Sequence, residues 1–318
     1  MNPRLTVVFA AFVTLATASA SAVDVDRDPG KLRLASVNAV VIDASSHRSV
    51  YAKGADDVTP IASLTKLMTA IVTLDAQLPM DESIAIDMED FDYLKGSHSR
   101  LRMGATLSRR EMLRLALMSS ENRAASALAR SYPGGTEVFV RAMNEKARAL
   151  GMTRTSYADP TGLSARNVST ANDLATLVAA AAEYPEIRDF STTPSHFVEV
   201  QPTGQLLGFN NTNGLVKNSG WNIHLSKTGY IREAGKCLVM LATIASKPFV
   251  IVLLDSAGKY TRQGDAQRVR DWLETGRASA VPKSGAKAAK VKTVAYTTPQ
   301  RAKRATNAKP SPSKTARA

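Results

Sequence analysis

The stretch Pro60-Ile61-Ala62-Ser63-Leu64-Thr65-Lys66-Leu67-Met68-Thr69-Ala70 constrains everything around it. It reads as the start of an apolar helix, continued by Ile71, Val72 and Leu74 and running to about Ala76, before Pro79. Ser63 sits on its first turn and Lys66 three residues later, so hydroxyl and amine share one helical face. A helix this apolar must be buried, and it takes the lysine with it. Burial lowers a lysine pKa because it disfavours the charged form. A serine hydroxyl is a weak nucleophile until a base takes its proton, and a lysine with a lowered pKa is such a base. The alternative is plainer: Ser63 as a helix cap with Lys66 in solvent.

The remainder of the chain must supply a core large enough to hold that helix. With 318 residues, 44% of them hydrophobic, it does. The formal charge of +13 would suggest a nucleic-acid partner, but it is unevenly placed. Gly276 to Ala318 carries 11 Lys and Arg with no Asp or Glu, leaving 30 basic and 28 acidic residues elsewhere. The basicity belongs to a tail, so no nucleic acid is expected as a partner. That tail, residues 276–318, is Ala, Lys, Thr, Ser, Pro and Arg. It is too poor in apolar residues to order itself; its cations either attract anionic envelope polymers or leave it a solvated extension with no partner. At the other end Arg4, the apolar run Leu5–Ala16 and Ala18-Ser19-Ala20-Ser21-Ala22 form the layout of a secretory signal peptide, residues 1–22. Residues 23–35 read as a loose leader. Cys237 is the only cysteine and sits in an apolar run, as a buried small hydrophobe would.

Between leader and tail, residues 36–275 read as one catalytic domain. Val37–Asp43 and Ser49–Ala52 form a hairpin about Ser45-Ser46-His47. Asp81–Gly104 is polar and irregular. Ser108–Met118 has helical spacing, with Ser108 as N-cap and Glu111 completing a capping box. Ser119–Asn122 interrupts before a helix at Arg123–Ser131, and Thr136–Leu150 is a helix closed by Gly151. Asp159–Leu163 is a loop, and Thr170–Glu183 is helical up to Pro185. Strands follow at Ser195–Val200, Asn222–Tyr230, Lys236–Ala245 and Phe249–Asp255, then a helix at Arg262–Glu274. This order predicts a mixed α/β fold, an antiparallel sheet packed against a helical cluster.

Two further motifs join the first: Ser120-Glu121-Asn122 at an inter-helix turn and Lys227-Thr228-Gly229 on a strand. Similar triplets at Ser284–Lys287, Ser311–Lys314 and Lys283–Gly285 lie in the tail and fail on context. The chemistry fits acyl transfer. Ser63 attacks a carbonyl, Lys66 accepts its proton, and Ser120 passes that proton to the leaving amine. Asn122, donor and acceptor at once, grips a peptide amide. Lys227 is expected as a cation that holds Ser120 and keeps Lys66 neutral. Thr228 offers a hydroxyl to a substrate carboxylate or carbonyl, and Gly229 lets substrate lie along the strand edge. The backbone N–H groups of Ser63 and Tyr230 are candidates for an oxyanion hole. His47, His98, His196 and His224 lack an HExxH spacing, so no metal or other cofactor is expected; His224 is the one nearest the motifs.

Together the motifs are those of penicillin-binding proteins and class A β-lactamases. From Ser36 to Glu274 the chain resembles low-molecular-mass penicillin-binding proteins of the D-alanyl-D-alanine carboxypeptidase/endopeptidase family, peptidase S11. Met118–Ala125, Asp159–Ser164, Asn167–Ala171 and Leu225–Tyr230 carry that resemblance. It implies a penicillin-binding protein/serine β-lactamase-like fold, a periplasmic location, peptidoglycan peptides as substrate, and β-lactam antibiotics as acylating inhibitors. No Glu-x-x-Leu-Asn deacylation loop occurs, which argues against a β-lactamase. Only the basic tail follows Glu274, where larger carboxypeptidases add a β-rich domain and a membrane-anchoring helix. That favours hydrolysis of cross-bridges over trimming of pentapeptides. A carboxypeptidase, or a wall-binding protein without catalysis, are the alternatives.

Overall fold

The computed structural model describes residues 27–258 and 260–282. The expected signal peptide and nearly all of the basic tail lie outside them. The strands and helices, in chain order, are β1 (Asn38–Asp43), β2 (Arg48–Lys53), β3 (Thr59–Pro60), α1 (Lys66–Asp75), β4 (Ser83–Ala85), β5 (Thr106–Ser108), α2 (Arg109–Met118), α3 (Asn122–Arg130), α4 (Gly135–Ala149), β6 (Val168–Ser169), α5 (Ala171–Ala182), α6 (Pro185–Thr192), β7 (Ser195–Val200), β8 (Gln205–Asn210), β9 (Asn222–Ile231), β10 (Gly235–Ile244), β11 (Lys247–Ser256) and α7 (Thr261–Thr275).

One antiparallel sheet, ordered β2-β1-β11-β10-β9, divides the core. Its inner strands are apolar on both faces, as strands covered on both sides must be. Val40, Val239, Val250 and Val252 pack with α1 to α6. Ala39, Val41, Leu238, Met240, Phe249 and Ile251 point the other way, onto Ala266, Val269, Trp272 and Leu273 of α7. The alternation along each strand is the period-two pattern of a pleated sheet. The mixed architecture expected from the sequence is therefore present, with helices on both faces. Strand β9 is an edge strand, and its free edge faces the turn that carries Ser63.

Four local expectations need correction. Residues 27–35 are not loose. Arg27 donates to the Leu273 and Glu274 carbonyls, the Trp272 indole donates to the Asp28 carbonyl at 3.1 Å, and Leu32 and Leu34 are buried against α7. The buried Asp265 carboxylate accepts from the Ala35 and Ser36 backbone N–H groups at 3.0 and 2.7 Å. The capping box on α2 is half formed. Ser108 Oγ accepts from Glu111 N at 3.2 Å, but the Glu111 carboxylate turns to His196 Nε2 at 2.8 Å. Pro185 opens helix α6 as well as closing α5, since a proline fits the first turn of a helix. Finally, β7 has a hairpin partner, β8, that the sequence reading missed.

Candidate active site

Ser63 lies on a 3-10 turn, Ala62–Thr65, that runs directly into α1 at Lys66. Ala62 enters this turn at φ +48°, a left-handed conformation unusual for a residue with a side chain. The conformation is held from three sides. Ile61 N donates to the Asn167 carbonyl at 3.0 Å, and Asn167 Nδ2 donates to Thr65 Oγ1 at 3.0 Å. Gly162, at φ +83°, presses its backbone against Ala62 and Ser63. Gly229 of β9 closes the third side.

Both glycines are required by proximity. A Cβ on Gly229 would stand 3.0 Å from the Ile61 carbonyl oxygen and 3.1 Å from Ser63 N. A Cβ on Gly162 would overlap the Ala62 carbonyl and lie 2.8 Å from Ser63 N, at a φ that already strains any other residue. Gly162→Ala is therefore expected to cost about 2–4 kcal/mol of stability, more than Gly229→Ala. It should also slow covalent modification of Ser63. Thermal denaturation and acylation rates of the two variants check the order.

Lys66 is fully buried, and its three donors are all used. Nζ donates to Ser63 Oγ at 3.0 Å, to Asn122 Oδ1 at 2.7 Å and to the Thr161 carbonyl at 2.6 Å. Burial pushes its pKa down from 10.5 to about 7, against the opposing pull of the carboxylates Asp159, Glu121 and Asp92. The three partners decide what happens when a proton is lost. A backbone carbonyl and an amide oxygen only accept, whereas a hydroxyl also donates. The neutral amine therefore keeps its two N–H bonds to Thr161 and Asn122 and turns its lone pair to the Ser63 hydroxyl.

The loop 158–167 holds the Thr161 carbonyl in place. The Asp159 carboxylate accepts from Thr161 N and Gly162 N, both at 2.7 Å, and from Ser164 N at 2.9 Å. Asn167 Oδ1 accepts from Ala158 N and Asp159 N. Asn122 is held too, its Nδ2 donating to Ser97 Oγ at 2.9 Å. Glu121, buried with its pKa raised mainly by desolvation, caps α3 by accepting from Arg123 N at 3.3 Å.

The structure thus brings Ser63, Lys66, Asn122 and Gly229 together. Ser120 sits beside Asn122 at φ +61°, a strained position of the kind that collects at functional sites. Thr228 Oγ1 hydrogen-bonds Thr212 Oγ1 at 2.6 Å, and the Tyr230 side chain is exposed. Lys227 departs from expectation. Its Nζ donates to the Thr228 carbonyl at 3.0 Å, not to Ser120. Burial, with Lys66 and Arg262 adding repulsion, pushes its pKa well below the ordinary lysine range. His224 turns away to Thr243 Oγ1 at 2.7 Å. Cys237 is buried as expected.

Sequence reading missed the supports. Asp159-Pro160-Thr161-Gly162 carries the signature of an Asx-type turn, which was a usable signal. Ser97 and Arg262 gave none. Arg262, from α7, donates to the Gly229 carbonyl at 3.0 Å and the Cys237 carbonyl at 3.3 Å, so it braces β9 at the site.

Comparison with known proteins follows the same line. The family described as D-alanyl-D-alanine carboxypeptidase, peptidase S11, matches residues 22–258. A D-alanyl-D-alanine endopeptidase of Pseudomonas aeruginosa is 49% identical over 285 residues, 89% of this chain and 92% of that protein. One from Escherichia coli K12 is 48% identical over 249 residues, 78% and 80% of the two. The Streptomyces K15 DD-transpeptidase superposes with a TM-score of 0.71 at 28% identity, covering 76% of this chain and 98% of that one. Penicillin-binding protein D2 of Listeria monocytogenes, in a cefotaxime-bound form, gives 0.67 at 27% identity, with 76% and 98% covered.

Proposed function

Because this chain belongs to peptidase S11, the D-alanyl-D-alanine carboxypeptidase family, we propose that it is a serine D-alanyl-D-alanine endopeptidase. Its substrates are the peptide cross-bridges of peptidoglycan, opened through an acyl-enzyme at Ser63. The observation that carries the chemistry is the Ser63 Oγ–Lys66 Nζ contact of 3.0 Å beside a lysine whose pKa has fallen to about 7.

Neutral Lys66 takes the Ser63 proton as Oγ attacks the D-alanyl carbonyl carbon. The oxyanion that forms is received by the backbone N–H groups of Ser63 and Tyr230. When the tetrahedral intermediate collapses, the C–N bond breaks and the amine leaves with a proton relayed through Ser120. Water then hydrolyses the ester. Asn122 grips a substrate amide, and Thr228 offers its hydroxyl to the carboxylate of the leaving residue. Thr212 can reverse its bond to Thr228, so that hydroxyl is free to turn to the substrate. Lys227, buried behind Thr228, fixes the strand's backbone. Gly229, with no side chain, lets the Ser63 turn seat against β9. A β-lactam enters by the same attack, but its amine stays tethered after the ring C–N bond breaks, so the acyl-enzyme persists.

The acylation rate is expected to rise with pH through about 7 and level off above, because only neutral Lys66 can accept the proton. Stopped-flow acylation by a chromogenic cephalosporin from pH 5 to 9 checks this. A flat profile would remove Lys66 as the base.

The similarity to relatives named endopeptidase supports cross-bridge cleavage over carboxypeptidase action. The ratio of kcat/KM for a cross-linked dimer and a monomeric pentapeptide tests the choice. Preference for the pentapeptide would make the protein a carboxypeptidase. The substrate lies outside the cytoplasm, so we place the protein in the periplasm, exported by residues 1–22. The basic tail would hold it to anionic polymers there.

A further inference from the structure

The mechanism above leaves one charged pair beside the site unused. Segment 92–99 forms the wall behind Asn122. The Asp92 carboxylate accepts from the backbone N–H groups of Leu94, Lys95 and Ser97, each at 2.8 Å, and Ser97 holds the Asn122 amide. The facing wall is β9 and the turn that follows it. Lys95 Nζ reaches from the first wall to Glu233 Oε1 on that turn, at 2.6 Å. It is the principal reason the Glu233 carboxyl lies below the usual range. Both side chains are about one third exposed, 32% and 36%. An ion pair this exposed has little net stability and exchanges partners readily.

Its position along the groove gives it a direction. Thr228 serves the departing end of the substrate, and Gly229 lies against Ser63. From Gly229 the strand runs roughly 7 Å through Tyr230 to Ile231, and Glu233 stands on the turn beyond. A peptide laid on the β9 edge with its departing residue at Thr228 therefore sends its acyl side past Tyr230 toward Lys95 and Glu233.

We propose that Lys95 and Glu233 form a subsite for a zwitterionic side chain on the acyl side of the scissile bond, an amino-carboxylate such as a diamino acid carries. Its carboxylate replaces Glu233 on Lys95, and its ammonium replaces Lys95 on Glu233. The subsite specifies which stem peptide is admitted, and it rests on the reading of Ser63 as the nucleophile.

Two β-lactams separate the claims: benzylpenicillin, whose acyl side chain is uncharged, and a penicillin whose D-α-aminoadipyl side chain ends in an amino-carboxylate. The measured quantity is the ratio of their second-order acylation rate constants, aminoadipyl over benzyl. Lys95→Ala and Glu233→Ala should each lower that ratio roughly three- to tenfold. Raising salt from roughly 50 to 500 mM should lower it in the wild type. The exchange Lys95→Glu with Glu233→Lys restores a bridge between the walls but reverses both charges, so the ratio should stay low. A ratio unchanged in the single variants, or restored by the exchange, would overturn the subsite and leave a bridge that only orders the walls. Benzylpenicillin failing to acylate the wild-type protein would sink the nucleophile assignment and the subsite with it.

Discussion

Ser63→Ala protein is expected to take up no penicillin, while melting within a few degrees of the wild type. Only the hydroxyl is lost, and among the described residues its one hydrogen bond is the contact accepted from Lys66. The turn itself is held by Asn167, Gly162 and Gly229 through Thr65 Oγ1, Ala62 and the Ile61 and Ser63 backbone. Hydrolysis should fall on the order of 10⁶-fold, the cost of removing a serine nucleophile that works as a unit with its base. Intact-protein mass spectrometry after exposure to benzylpenicillin reads the result directly. An adduct of the same mass on the variant would place the nucleophile elsewhere.

Lys66→Ala should leave Ser63 in place and the protein nearly inert. Loss of a positioned general base costs roughly 10²–10⁴ in rate. The variant also leaves Asn122 Oδ1 and the Thr161 carbonyl without their donor, so some loss of stability is expected alongside. The pH profile separates the two effects. In the wild type the rate follows the neutral fraction of a lysine at about 7. In the variant the slow residual acylation should lose that inflection. A merely structural role for Lys66 would lower the rate but keep the shape.

The parts of the fold that were legible in the sequence are those whose signals are local. The strands β1, β9, β10 and β11 are apolar runs separated by short turns, and α2 has both a cap and a helical stripe. The irregular stretch between Asp81 and Gly104 was opaque for a physical reason. Its order comes from side-chain carboxylates: Asp92 caps three backbone N–H groups, and the buried Asp90 meets Arg130 at 2.9 Å, forty residues on. Residues 27–35 looked loose because the contacts that order them lie on α7, more than 200 residues away.

The candidate site divides the same way. Ser63 and Lys66 are three apart and share a turn, so their meeting followed from spacing. That Asn122 would bond Lys66, and Ser97 bond Asn122, depends on segments 56 and 25 residues apart in the chain, respectively. Lys227 misled because its motif says nothing of burial, and the expected cation bound to Ser120 presupposed an amine that stays charged. Here the Ser63 turn and α6 pack against β9 and leave Lys227 buried.

The central claim is that Ser63 opens peptide cross-bridges. A purified cross-linked muropeptide dimer, incubated with the wild type, with the wild type pretreated with benzylpenicillin, and with Ser63→Ala, tests it by liquid chromatography with mass detection. Monomers appearing with the untreated wild type alone is the predicted result. Dimer cleaved equally by the Ser63→Ala protein, or left intact by an enzyme that penicillin still acylates, would contradict it.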